Sequence, residues 1–232
     1  MEIKPIAVFH SLFPTKFGIP KQSGIVESLP GQIVLEPPYR TKDALRGIEL
    51  FDWLWLVWGF SANRHAPSSP VVRPPRLGGN EKIGVFASRS PFRPNGLGLS
   101  SVRLDHVEWD SPRGPIIHVC GADLMDGTPV YDIKPYVTYA DSHPDARSGF
   151  VDQRQWRRLE VTIPPSVVSA LSDYGLTAEQ IVLLREVLAE DPRPPYQHNP
   201  KKVYGMPYAG LDVRFCVDGL HCEIVEVVKN PR

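Results

Sequence analysis

Twenty-five of the 232 residues are proline, and no other feature restricts the fold of this chain as much. A proline fixes φ, lacks a donor N–H and interrupts both helix interiors and central strands. In the first two thirds of the chain this leaves little room for long helices, so the windows between prolines read as short strands separated by turns. The candidate strands are Ile3–His10, Gly31–Leu35, Trp53–Phe60, Lys82–Ala87, Leu99–Trp109, Pro115–Leu124 and Thr128–Ile133. Trp53–Phe60, WLWLVWGF, is apolar on both faces and is expected deep in a sheet or barrel. A short helix capped by Thr41 and running KDALRGIELF is expected just before it.

Composition shifts after about Gly149. PPSVVSALSDYG and TAEQIVLLREVLAED read as two helices. The second carries Thr177 and Gln180 at capping-box spacing, with Ile181, Leu184, Val187 and Leu188 on one face. The chain closes on LDVRFCV and LHCEIVEVV, two alternating strands around an Asp-Gly turn, the strongest hairpin signal present. A mainly β domain over 1–149 and a smaller α+β domain over 150–232 are expected.

Hydrophobic residues make up 42% of the chain, enough for a sizeable core, and the net charge is zero. The charge is not evenly spread. Between Ser61 and Arg103 seven basic residues stand against the single acid Glu81, which suggests one specific anionic partner. The most apolar run, Leu50–Phe60, is too short to span a bilayer and contains Asp52. The N-terminus reads as no secretory signal, so a cytoplasmic protein without a membrane partner is expected. Cys120, Cys216 and Cys222 fit no metal spacing, and none of the seven histidines pairs at ligand spacing. No metal is expected.

The loop GVFASRSPFRPNGLGLSSVRL, Gly84 to Leu104, holds Arg89 and Arg93 between Pro91 and Pro94. Two readings stand level on the residues alone. Either the guanidiniums cover a sheet rim and pair with acids, or they meet a carboxylate or phosphate bidentately. Gly96 and Gly98 lack the third glycine of a dinucleotide fingerprint, and RLGGNEKIG lacks the Lys-Ser/Thr of a phosphate-cradling loop. In GADLMDGTPVYDIKPYVTYADS, strand alternation aims Asp132, Lys134 and Tyr136 to one side. This stretch reads either as a polar hairpin or as part of a polar site.

Five blocks together resemble one family, the TrmO-type β-barrel tRNA methyltransferases. They are KFGIPKQSG, LRGIELFDWLWLVWGF, VRPPRLGGNEKIGVFASRSPFRPNGLGLSSVRL, GADLMDGTPVYDIKPYVTYADS and DPRPPY. The resemblance implies a single-sheeted β-barrel that uses S-adenosylmethionine to methylate N6 of threonylcarbamoyladenosine, 3′ of the anticodon. It also implies a homodimer with the cofactor near the subunit interface. Carried over residue by residue, the cofactor pocket falls on Pro20, Lys21 and Gln22, on Ser61 and Ala62, on Arg89 and Leu99, and on Asp123, Leu124, Met125 and Asp126. The sequence departs from the family's pattern at SANRHAP (61–67) and at Gly96, which replaces a frequent proline.

For the chemistry, Arg89 suits the cofactor's carboxylate, and Asp123 or Asp126 its hydroxyls or amino group. Asp132, Lys134 and Tyr136 are the candidates for assisting proton loss from the nucleophilic nitrogen. Arg64, Arg73, Arg76, Arg93, Arg193 and Tyr196 are the expected contacts to the tRNA anticodon region. Two further functions fit the same blocks: a non-catalytic tRNA- or ligand-binding barrel, or a barrel methyltransferase with another adenine or a small molecule as substrate.

Overall fold

The computed structural model describes residues 2–63, 69–74, 77, 81–152, 157–194, 197 and 199–229. Six strands make the N-terminal sheet: β1 (Ala7–His10), β2 (Pro30–Leu35), β3 (Trp53–Gly59), β6 (Leu97–Glu108), β7 (Ile116–Cys120) and β8 (Thr128–Pro135). Every pairing is antiparallel, and the order β1-β2-β7-β6-β3-β8 returns to its start because β8 pairs with both β3 and β1. Closing the ring leaves no unpaired edge. Its interior is filled by Phe9, Ile33, Leu54, Leu56, Val102 and Ile117.

β3 corrects the expectation of an apolar strand buried on both faces. Leu54, Leu56 and Trp58 point into the core, whereas Trp53 is 36% exposed and Trp55 and Val57 share its outward side. A strand of a closed sheet has only one inner face, and this one fills it with alternate residues. Outside, Trp55 packs on Tyr136 with ring centroids 5.8 Å apart.

The expected helix before β3 is instead two 3-10 turns, Lys42–Leu45 and Ile48–Leu50. Thr41 caps the first as anticipated, accepting the Ala44 N–H. Gly47 then takes φ +86, which ends the turn before an α-helix can propagate. The expected strand Lys82–Ala87 shrinks to β5 (Ile83–Gly84), paired with β4 (Val71–Val72) and followed by a 3-10 turn at Val85–Ala87. Pro70 and Pro74 bracket β4, so the ribbon cannot lengthen. A one-turn helix, α1 (Thr138–Asp141), follows β8.

The second sheet has the order β10-β11-β12-β9, from β9 (Glu160–Thr162), β10 (Tyr204–Tyr208), β11 (Leu211–Asp218) and β12 (His221–Lys229). Both expected helices form, α2 (Pro165–Asp173) and α3 (Ala178–Ala189). The Thr177–Gln180 capping box is present, a feature worth about 1 kcal/mol. The hairpin turns one residue later than expected. Asp218 pairs with His221, and Gly219 supplies the positive φ at the first loop position.

The core beneath this sheet is not built from its own half of the sequence alone. Phe13, Val26 and Leu29, from the segment between β1 and β2, are buried in it beside Leu184, Met206 and Phe215. Phe17 stacks on Phe215 at 6.4 Å, and the Ala209 N–H donates to the Leu12 carbonyl. Gly18 sits at φ +97 where an added Cβ would lie 2.4 Å from Met206 Sδ. Residues 11–29 thus leave the first sheet, pack on the second and return.

Candidate active site

The β3 strand ends at a cleft of about 240 Å³. Trp58, Phe60 and the turn Ser61–Asn63 form one wall, and Lys16, Ile19 and Pro20 of the excursion form another. Asp123 and Met125, from the β7–β8 connection, close the floor with Thr128 at the start of β8, and Pro91 reaches the rim from the arginine loop. Asp123 is the only carboxylate among these lining residues.

A buried hydrogen-bond chain holds that carboxylate. Trp58 Nε1 donates to Ser100 Oγ at 3.0 Å, and Ser100 Oγ donates to Asp123 Oδ1 at 2.5 Å. Main-chain N–H groups of Asp123 and Ser23 add to its support. Burial still pushes the Asp123 carboxyl above its usual range, with these hydrogen bonds and the Arg89 charge pulling partly back. Gly98 makes the chain possible: an added Cβ there would meet the Trp58 ring at 2.4 Å.

Asn63 carries the clearest sign of a missing partner. Its Oδ1 accepts from Lys16 Nζ at 3.0 Å, while its buried Nδ2 has no hydrogen-bond partner. A buried donor without an acceptor costs about 1–3 kcal/mol, so the cleft wall is complementary to an acceptor on a ligand.

The two arginines of the loop do different things. Arg89 is exposed and donates from Nη1 to Gln22 Oε1 at 2.6 Å. Gln22 Nε2 in turn donates to the Lys21 carbonyl, and Lys21 Nζ reaches the Asp191 carbonyl at 3.3 Å. Arg93 turns inward on its own loop, donating to the carbonyls of Ser88 at 3.0 Å and Ser90 at 3.3 Å. It staples the turn that carries Arg89.

The cleft therefore gathers Pro20, Ser61, Ala62, Asp123 and Met125, with Lys21, Gln22 and Arg89 linked to one another by the hydrogen bonds beside it. Leu124 lies in the first core, 1% exposed, which leaves its main chain alone for contact. Asp126 is engaged by His10 Nδ1 at 3.0 Å and by the Ser11 N–H. Leu99, 57% exposed, stands outside the sheet opposite Val57. Asp132 and Lys134 share that outer face as register partners of Val57 and Trp55, and they form an ion pair at 2.9 Å. With Tyr136 on Trp55, none of the three expected proton carriers lines the cleft of its own chain.

Arg193, an expected contact to the tRNA anticodon region, is held within its own loop. Its side chain is 8% exposed and grips Asp191 through Nε and Nη2 at 2.8 and 2.9 Å, so it is committed to shaping the loop. Asp191 sits at φ +48, which this clamp stabilises. Arg73 is exposed just after β4. Arg64, Arg76 and Tyr196 lie outside the described residues.

Sequence reasoning missed Lys16, Trp58, Asn63 and Ser100 as site residues. Lys16 lay inside a block carrying the resemblance and Asn63 inside a divergent one; neither has a local signal of its own. Trp58 and Ser100 read as strand filler, because only the β3–β6 pairing brings them together.

A second cavity, about 320 Å³, opens at the other end of the six-stranded sheet between Ile6, Leu35, Leu45, Ile48, Leu54 and Pro135. Among the described residues its lining holds no carboxylate; Arg46 is the one charged group, and Tyr39 the one hydroxyl. Among the described residues, no His/Cys/Asp/Glu group could hold a metal, and no helix is long and apolar enough to cross a membrane.

Comparison with known proteins agrees with this geometry. The family profile described as the tRNA-methyltransferase O N-terminal domain matches residues 8–142, and that of the TrmO C-terminal domain matches 157–230. The chain is 38% identical over 226 residues to the tRNA (adenine(37)-N6)-methyltransferase of Escherichia coli K12, covering 96% of each protein. It is 34% identical over 150 residues to a Pyrococcus abyssi protein named "Probable S-adenosyl-L-methionine-binding protein", covering 65% of this chain and 76% of that one. The crystal structure of TrmO from Pseudomonas aeruginosa superposes with a TM-score of 0.78 at 32% identity, covering 99% of this chain and 97% of the other. With both profiles matched in order and the fold shared along its length, the chain belongs to the tRNA-methyltransferase O family.

Proposed function

We propose that this chain is a tRNA methyltransferase that moves a methyl group from S-adenosylmethionine to N6 of adenosine 37, beside the anticodon. The curated tRNA (adenine(37)-N6)-methyltransferase matched along nearly the whole chain supports the reaction. The single structural observation that carries it is the end-on cleft, lined both by a half-buried acid, Asp123, and by an unpartnered donor, Asn63 Nδ2. That pair suits a ligand bearing both hydroxyl or ammonium donors and a carboxylate, and Trp58, Phe60 and Met125 offer surface for an apolar ring system.

Bound there, S-adenosylmethionine supplies an electrophilic methyl on a sulfonium whose charge is lost on transfer. The chain's own residues orient it and exclude water, which contributes most to an in-line displacement. Lys16 and Asn63 bind a carboxylate at one wall. Arg89, held by Gln22, adds charge at the mouth, with Pro20, Lys21, Ser61, Ala62 and the 123–126 main chain completing the pocket.

The finer reading is threonylcarbamoyladenosine as the methylated base, an N-terminal barrel over 1–149 as the methyltransferase unit, 150–232 as the second unit, and a cytoplasmic homodimer. Dimerisation reconciles two sets of residues: Leu99, Asp132, Lys134 and Tyr136 on one copy's outer face would meet the cofactor and RNA at the partner's cleft. Arg73 and Arg93 belong to the same tRNA-facing rim. Mass spectrometry of tRNA nucleosides, after incubating the protein with S-adenosylmethionine and tRNA from a strain lacking the enzyme, tests the reaction. Appearance of the N6-methylated nucleoside at position 37 supports it, and its absence with cofactor bound leaves a binding module. Equal transfer to tRNA lacking the threonylcarbamoyl group would reassign the substrate.

A further inference from the structure

We propose that the cavity at the far end of the six-stranded sheet is a second ligand site, and that it takes a small amphiphile with an aliphatic tail and a single carboxylate head. The inference goes beyond the methyl-transfer reading and does not depend on it. Six antiparallel strands closed into a ring leave two open ends, and such ends are common places for small ligands. The candidate active site occupies one of them, past Trp58 and Gly59 at the end of β3. The cavity occupies the other, beside Leu54 near the start of the same strand. Its volume of about 320 Å³ falls within the usual span of small-ligand pockets, roughly 300–1,000 Å³.

The segment between β2 and β3 forms one wall, and it is pinned on both sides of the cavity. Arg40 Nε donates to the Leu35 carbonyl at 2.8 Å and Lys42 Nζ to Asp110 at 2.8 Å, while further on Trp109 Nε1 donates to Glu49 at 3.4 Å. Between these pins Leu45 is buried, Gly47 turns at φ +86, and Ala44 to Ile48 all border the cavity. The opposite wall is hydrocarbon, from Leu35 of β2, Leu54 of β3 and Ile133 of β8. Such a surface rejects a peptide or a sugar, whose polar groups would be buried without partners, and accepts an alkyl chain. Polarity enters through Tyr39 and Arg46. Arg46 donates from Nη2 to Asp43, but the two side chains are 81% and 80% exposed, so that pair contributes little. A guanidinium has five donors, and a ligand's carboxylate can share this one or displace Asp43 from it. One cation with no carboxylate on the lining selects a monoanion.

The test is calorimetry on the full-length protein with octanoate as the probe, and with octylamine and octanol as charge controls. Octanoate should bind saturably at one site with a Kd below about 1 mM, and should raise Tm as its concentration rises. Octylamine and octanol should bind about tenfold more weakly or worse. Arg46→Gln, at an exposed position, should raise the octanoate Kd about tenfold or more. Ala44→Trp puts an indole into the cavity and should abolish binding, with circular dichroism reporting that the variant is folded; if it is not, Arg46→Gln decides alone. The assignment is overturned if octanoate shows no saturable binding below about 1 mM, or if octylamine or octanol binds as tightly. It is equally overturned if Arg46→Gln or a folded Ala44→Trp leaves the Kd unchanged. Loss of octanoate binding in Arg89→Ala would place the acid at the cleft and overturn it as well.

Discussion

Gly98→Ala isolates the contact on which the cleft's hydrogen-bond chain depends. The new methyl would lie 2.4, 2.5 and 2.7 Å from Trp58 Cε2, Cζ2 and Cδ2, all atoms of one rigid ring. Gly98 has no positive φ, so the whole effect is steric. Trp58 is 7% exposed in the first core and cannot yield without disturbing its neighbours. Overpacking of this kind costs about 1–3 kcal/mol, and losing the Trp58–Ser100 hydrogen bond adds about 0.5–1.5 kcal/mol. Together they come to about 1.5–4.5 kcal/mol, or a fall in Tm of roughly 3–18 °C for a chain of this size. Urea and thermal unfolding followed by circular dichroism read the loss, and calorimetry reads the accompanying drop in cofactor affinity. Gly84→Ala is the control, because its φ is −60 and nothing lies within 4 Å of its Cβ. It should be neutral or slightly stabilising, by up to about 1 kcal/mol. If the two variants unfold alike, the packing of Trp58 against Gly98 does not organise the site.

Arg89→Ala removes a charge from the cleft mouth and the donor that orients Gln22, so cofactor Kd should rise about 10-fold or more by calorimetry; an unchanged Kd takes Arg89 out of the site. Arg93→Ala should loosen the turn at Ser88–Ser90, weakening tRNA binding and changing its salt dependence in filter binding, whereas unaltered tRNA affinity would confine Arg93 to the loop's interior. For Asp123 the folded-state pKa is raised, so its contribution to stability is present at low pH and is lost as pH rises through that pKa. Asp123→Asn should therefore gain stability relative to wild type as pH rises above about 4 in urea titrations, and a difference that does not vary with pH would refute the burial cost. Cys222 is buried, with its thiol pushed up to about 12 by desolvation, so thiol reagents should leave it unmodified until the protein is unfolded.

What the sequence could convey followed from how local each signal was. Thr177 and Gln180 stand three residues apart and answer each other across one helical turn, so the capping box was legible without any tertiary information. The Asp218–Gly219 pair announced a hairpin, but its register was settled by Val217 and Cys222 facing the core together, which moved the turn by one residue. WLWLVWGF hid its alternation because the residues outside the sheet are as apolar as those within. A side chain's identity does not tell a tryptophan that packs on Tyr136 from one that fills a core. At the site, Asp123, Ser61 and Ala62 were reached through resemblance, but Ser100 and Asn63 were not. Their roles exist only where β3 meets β6 and where the excursion carrying Lys16 folds back over the turn after β3. Arg193 shows the same limit: its charge is visible in sequence and its burial against Asp191 is not.

The excursion of residues 11–29 ties two equilibria together. Lys16, Ile19 and Pro20 of it line the cleft, while Phe13, Phe17 and Val26 are packed within the other sheet's hydrophobic interior. A ligand that orders the first group must therefore be felt by the β10–β11 pair, and any change that softens that pair must weaken the ligand by the same free energy. Amide protection in β10 and β11 should rise when the cleft fills, although neither strand touches it. Cutting the chain near residue 150 would strand Phe13, Val26 and Leu29 in water and leave the cleft with a wall that has lost its support. The two halves of the sequence are in this sense a single cooperative device, with each half holding part of the other.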